Sequence, residues 1–165
     1  MTPAQLVHEL TSRGETIATC ESLTAGLVAA TLADVPGASA VLRGGLVTYA
    51  TELKAHFLDC TVEHLEEQGV VSEATACEMA TAAGQECGST WALGLTGVAG
   101  PDLQEGHAPG TVCIGLWHES GFVESETVTG LPGERNEIRL GAVTAALSLL
   151  GSSLENFSPN REQSD

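Results

Sequence analysis

The chain holds one lysine, Lys54, and one tyrosine, Tyr49, five residues apart directly after a segment with strand character. A lysine that loses its proton through burial or neighbouring positive charge can act as a base toward a serine hydroxyl. Serine–lysine pairs are an established variant of the serine nucleophile, and a tyrosine can relay or orient the proton. Two serines could supply the nucleophile. Ser22 stands where a short strand gives way to a helix, and it would serve equally there as an N-cap. Ser39 follows Pro36-Gly37-Ala38, a break that can present a side chain at a cleft. Taken singly, each residue also has an ordinary reading: a solvated lysine, a tyrosine packed at a strand end, a structural serine.

Two small-residue loops follow apolar segments. Glu21-Ser22-Leu23-Thr24-Ala25-Gly26 leads into a helix, whose first N–H groups suit an anion. Thr96-Gly97-Val98-Ala99-Gly100-Pro101-Asp102 carries glycines that let backbone approach a ligand closely. Neither loop has the GxxxxGK[ST] or GxGxxG pattern, so a nucleoside-triphosphatase or Rossmann reading lacks its motif. Arg135 and Arg139 are four residues apart at the start of the last predicted helix and share a face. They are either surface cations balancing Glu134 and Glu137 or a planar donor fork for a phosphate.

Hydrophobic periodicity supplies the elements that must position these groups. Leu6, Val7 and Leu10 mark a first helix ending at Gly14. Strand segments are predicted at 16–20, in two pieces around Gly44-Gly45 within 38–50, at 91–96, and as a hairpin of 111–117 and 122–129. Helices are predicted after Gly26 to Val35, at 51–58 and 61–68, from the N-cap Ser72 to Gln85, and over 135–150. Such alternation predicts an α/β fold, a three-layer α/β/α sandwich with a mixed sheet, in a single domain over 1–152. The polar segment 153–165 is expected to fray.

Composition narrows the partners. Six cations stand against 22 acidic residues, a formal net charge of −16 in 165 residues. Duplex binding needs a basic face, so nucleic acid is not expected as a partner. Any anion site must be locally positive. The five cysteines form no CxxC pair, and no signal segment or apolar run of membrane length is apparent, which predicts a cytoplasmic chain with reduced thiols and no membrane partner. Cys60 and His64 alone make a weak metal signal, and neither a metal nor a cofactor is expected.

The blocks ESLTAG, PGASAVLRGGLVTYATELK, GVVSEATACEMA, LTGVAGPD, PGTV and GERNEIR occur in the order of the CinA C-terminal domain family, the nicotinamide-nucleotide amidohydrolases. The resemblance covers roughly residues 5 to 150. It implies hydrolysis of nicotinamide mononucleotide, a small-molecule substrate, to nicotinate mononucleotide and ammonia in pyridine nucleotide salvage. By the same resemblance Ser39 is the nucleophile, Lys54 and Tyr49 its partners, and Ser22 and Glu21 line the pocket with Thr24 and Gly26. Thr96, Gly97, Ala99 and Gly100 contact the ligand, and Arg135, with the helix start after Ser22, holds the phosphate. Ala25 and His107 depart from the usual glycine and lysine, so weaker or pH-dependent affinity is an expectation. A non-catalytic nucleotide-binding or regulatory module, or an amidase of altered specificity, are the alternatives. Small residues on several helix faces predict self-association.

Overall fold

The computed structural model describes residues 1–157. Helix α1 (Pro3–Arg13) opens with a reciprocal capping box: the Thr2 side chain accepts from Gln5 N–H, and the Gln5 side chain accepts from Thr2 N–H. It stops at Gly14, whose left-handed φ of 68° releases the chain toward the sheet. The remaining elements are β1 (Ile17–Glu21), α2 (Leu27–Ala33), a 3₁₀ turn (Ala38–Ala40), β2 (Leu42–Val47), α3 (Thr51–Leu58), α4 (Val62–Gln68), α5 (Glu73–Cys87), β3 (Trp91–Gly97), β4 (Val112–His118), β5 (Val123–Val128) and α6 (Arg135–Asn156).

One five-stranded sheet has the order β2-β1-β3-β4-β5. β1 pairs parallel with both β2 and β3, while β4 and β5 are antiparallel additions. Leu6, Leu10, Val28, Leu32, Leu147 and Leu150, from α1, α2 and α6, fill the core on one face. Met79 and Ala83 of α5 cover the other with Ala18 and Cys20 of β1. The expected three-layer α/β/α sandwich with a mixed sheet is therefore the observed architecture. Among the described residues, no helix is long and apolar enough to cross a membrane.

Close contact between α5 and the sheet explains the glycines. A Cβ on Gly94 would lie within overlap distance of the Ala76 carbonyl oxygen and 2.5 Å from Ala80 N; one on Gly115 would strike the same carbonyl. Both obstacles are backbone, which cannot swing aside. Gly94→Ala is accordingly expected to cost about 3 kcal/mol of stability, read as a lowered denaturant midpoint at unchanged slope.

Two expectations are corrected. Gly44-Gly45 does not split a strand: β2 runs through it, because a Cβ on Gly45 would lie 2.8 Å from Thr19 Oγ1 and 3.2 Å from Ala29 Cβ. Glycine here admits close neighbours rather than a turn. The C-terminal segment does not begin to fray at 151–153. α6 continues to Asn156 with Gly151, Ser153 and Leu154 buried, and Ser153 Oγ donates to Glu124 Oε2 at 2.6 Å. Phe157 then packs against Trp91, His118 and Phe122, with ring centroids 4.6–5.2 Å apart. Residues 158–165 of the predicted tail lie outside the described residues.

Candidate active site

The C-terminal ends of the three parallel strands open on one cavity of about 420 Å³, where open α/β sheets generally bind ligands. The volume lies within the roughly 300–1,000 Å³ usual for small-molecule sites. β1 delivers Ser22 and Leu23, β2 delivers Tyr49, and β3 delivers Thr96 and the loop from Gly97 to Gln104; α3 adds Thr51 and Lys54, and α6 adds Arg135. Two cations, Lys54 and Arg135, face this cavity against one carboxylate, Asp102. In a chain of net charge −16 this is a locally positive spot.

Lys54 is 2% exposed. Its Nζ donates to the carbonyls of Thr48, at 2.8 Å, and Tyr49, at 3.3 Å, the two residues that lead from β2 toward α3. Burial pushes its pKa down, against the Cys20 sulfur once ionised and the Glu105 carboxylate, which pull it up. Its place in the opening turns of α3, near the positive end of the helix dipole, acts in the same direction as burial. Cys20, behind it, has its pKa raised by burial to about 11 and remains a thiol at neutral pH.

Ser22 is almost buried, lines the cavity, and its hydroxyl makes no hydrogen bond to another group among the described residues. It is not the N-cap of α2; Gly26 holds that position. The N–H groups of Leu23, Ala99 and Gly100, all in the cavity lining, likewise donate to no group among the described residues. Thr96 Oγ1 donates to the Val70 carbonyl at 2.8 Å and so fixes the opposite wall.

Several of the predicted site residues lie away from this cavity in the chain. Ser39 sits exposed in the 3₁₀ turn that precedes β2, whereas Tyr49 and Lys54 follow that strand. A six-residue strand, about 20 Å long, separates the two ends, and Ser39 does not line the cavity in this chain. Glu21 is fully buried and turned away from it. Its carboxylate accepts from the N–H groups of Gly26, Val28 and Ala29 at 3.0–3.1 Å. The donors expected to hold a phosphate at the start of α2 are therefore already occupied by a protein carboxylate. Thr24 and Gly26 also stay outside the lining.

Tyr49 does not bridge a serine and the lysine. Its hydroxyl accepts from Arg135 Nη2 at 2.6 Å, while Arg135 Nη1 donates to the Gly100 carbonyl. The arginine pair divides its work. Arg135 faces the cavity, and Arg139 braces the turn after β1, donating to the carbonyls of Leu23, at 2.8 Å, and Thr24, at 3.3 Å. His107 faces a neighbouring groove with Glu66, Glu67 and Glu73, not this cavity. Among the described residues no group of three or more His, Cys, Asp or Glu side chains could hold a metal ion.

The family model described as the CinA C-terminal domain matches residues 2–154. A "Putative competence-damage inducible protein" of Streptococcus pneumoniae (strain ATCC 700669 / Spain 23F-1) is 47% identical over 149 residues, covering 90% of this chain and 35% of the relative. The chain thus spans about a third of the length of the curated relatives it matches. Among solved structures, the competence/damage inducible protein CihA from Agrobacterium tumefaciens aligns with a TM-score of 0.86 at 32% identity, covering 93% of each chain. A CinA superfamily protein from Klebsiella pneumoniae 700603 aligns with a TM-score of 0.88 at 30% identity, covering 94% of this chain and 96% of its own.

Proposed function

Since the chain belongs to the CinA C-terminal domain family, we propose that it hydrolyses the carboxamide of nicotinamide mononucleotide, giving nicotinate mononucleotide and ammonia. The observation that carries this reading is the free hydroxyl of Ser22 in one cavity with a buried, pKa-lowered Lys54 and the cation Arg135. Ser22, rather than Ser39, is the proposed nucleophile.

In the proposed sequence, neutral Lys54 takes the Ser22 proton as the oxygen attacks the carboxamide carbon. The N–H groups of Leu23, Ala99 and Gly100 are donors available to the developing oxyanion. Collapse breaks the C–N bond, and Lys54 returns its proton to the leaving ammonia. Water then attacks the Ser22 ester, Lys54 takes a proton from it, and the carboxylate product leaves as Ser22 regains its proton. Arg135, already bridging Tyr49 and Gly100, holds the substrate phosphate with its remaining donors.

A base must be neutral to act. Turnover is therefore expected to rise with pH up to the pKa of Lys54, which lies below the ordinary lysine value of 10.5. The check is the acid limb of kcat/KM against pH, measured beside a direct titration of the single lysine by NMR of ¹³C-lysine-labelled protein. The two midpoints should agree.

A second reading, a nucleotide-binding module without turnover, is favoured by one observation: the Thr48 and Tyr49 carbonyls around Nζ stabilise the ammonium form. Calorimetric binding of the mononucleotide without ammonia release, in the presence of a chelator, would select it. Self-association is proposed through β2, an edge strand with Val47 exposed. Sedimentation velocity tests it.

A further inference from the structure

We propose that Glu105 is a positioning residue for this site, its carboxylate clasping the strap Pro101–Gln104, the cavity's outer wall, to the backbone of Val70 and Val71. The inference rests on reading the cavity as a nucleotide site.

Glu105 and Gly106 both have left-handed backbone, with φ of 49° and 78°. Gln104 and His107 exchange hydrogen bonds of 3.1 and 2.8 Å across them. This is a two-residue hairpin turn with positive φ at both central positions, where asparagine, aspartate or glycine is the usual first residue. Glutamate is costlier there, because its Cβ meets the steric penalty without the short polar side chain that offsets it. The compensation is at the end of the side chain. The Glu105 carboxylate accepts from Val70 N–H at 3.0 Å and Val71 N–H at 2.8 Å. These residues directly precede Ser72, the N-cap of the 15-residue α5, so the carboxylate also meets the positive end of that helix.

The strap hangs between two anchors. At one end Arg135 holds the Gly100 carbonyl; at the other Glu105 holds 70–71. Between them Pro101, Asp102 and Leu103 are exposed and make no hydrogen bonds among the described residues. The Val70 peptide that receives the clasp on its N–H side receives Thr96 Oγ1 on its own carbonyl. One segment thus holds both walls of the cavity. Glu105 is also the carboxylate that raises the pKa of Lys54 against burial. The other titratable or charged groups on that side are the Cys20 thiol of β1, with Tyr49, Asp102 and Arg135 in the lining.

The test uses the full chain with Glu105→Asn and Glu105→Gln. Asparagine suits the left-handed turn and removes the charge, so the fold is expected to survive, as thermal unfolding will show. In Glu105→Asn the Val70 and Val71 amides should exchange with deuterium at least about tenfold faster. The Lys54 ¹³C titration should move to lower pH. KM for nicotinamide mononucleotide should rise about tenfold, with kcat on the alkaline plateau, above the Lys54 pKa, held within about twofold, because the wall orients rather than reacts. Glu105→Gln, which retains one carbonyl acceptor, should fall between the two. Unchanged exchange at Val70 and Val71, or unchanged KM in a chain that turns over, overturns the clasp. If the native chain releases no ammonia, the amidase reading fails by itself, and the exchange and lysine titration still decide the clasp.

Discussion

Replacing Lys54 with methionine is expected to lower ammonia release from nicotinamide mononucleotide by about a thousandfold or more while leaving stability within about 1 kcal/mol of native. The two effects separate because Lys54 is costly as a charge and, in the proposed reaction, valuable as a base. The side chain is 2% exposed and its ammonium meets two carbonyl oxygens. Methionine keeps the length and apolar stem and removes the desolvation cost, but it leaves those carbonyls without a donor. The opposing costs nearly cancel. Catalysis has no such compensation in the proposed reaction, since Lys54 is the one amine in the cavity lining and the carboxylate there, Asp102, is exposed on the outer strap. Arginine at this position keeps the charge and never becomes a base, so Lys54→Arg should be equally inactive. Stability against pH gives an independent reading. Because the folded pKa is depressed, the unfolded chain holds this proton over a range where the folded chain has lost it. Native stability should therefore rise with pH between the lowered Lys54 value and the ordinary 10.5, and the methionine variant should lose that rise. Denaturant unfolding across alkaline pH measures it.

Ser22→Ala is the second large effect. Removal of a serine nucleophile that acts as a unit with its base costs as much as removing both, about 10⁴-fold or more in kcat. The substitution deletes a hydroxyl that bonds to no described group, so the stability change should stay within about 0.5 kcal/mol, and calorimetric affinity for the mononucleotide should be retained. Ser39→Ala, on an exposed turn at the other end of β2, should keep turnover within about twofold of native. The double variant Ser22→Ala/Lys54→Met should be no slower than the slower of the two single variants, the signature of two groups in one step.

The layers of the fold were legible in the sequence because periodicity carries them: the alanine-rich stretch after Ser72 became α5, with Ser72 capping it through Thr75 N–H, and the apolar run at 91–96 became the central strand β3. The two strand-end loops were legible as a cleft for the same reason. What failed was direction. Ser39, Tyr49 and Lys54 lie close along the chain, yet a strand stands between the first and the other two, and sequence spacing does not say which end of a strand faces a cavity. Glu21 was misread because a carboxylate beside Ser22 looks like a ligand group; its real partners are the amides of Gly26, Val28 and Ala29, up to eight residues ahead. Gly44-Gly45 imitated a break because the sequence cannot show that Thr19 and Ala29 press against it. The C-terminal letters read as polar because Ser153 hides its hydroxyl on Glu124. Glu105 left one trace, a glutamate before glycine in a turn that favours asparagine or aspartate.

In the proposed reaction the Ser22 oxygen carries the acyl group and Lys54 moves its proton. The measurement that meets it most directly is rapid acid quenching of the chain with nicotinamide mononucleotide, followed by peptide mapping by mass spectrometry. A nucleotide-acyl adduct is expected on the peptide bearing Ser22, absent in Ser22→Ala and slowed in Lys54→Met. An adduct on the Ser39 peptide, or full ammonia release by Ser22→Ala, would contradict it.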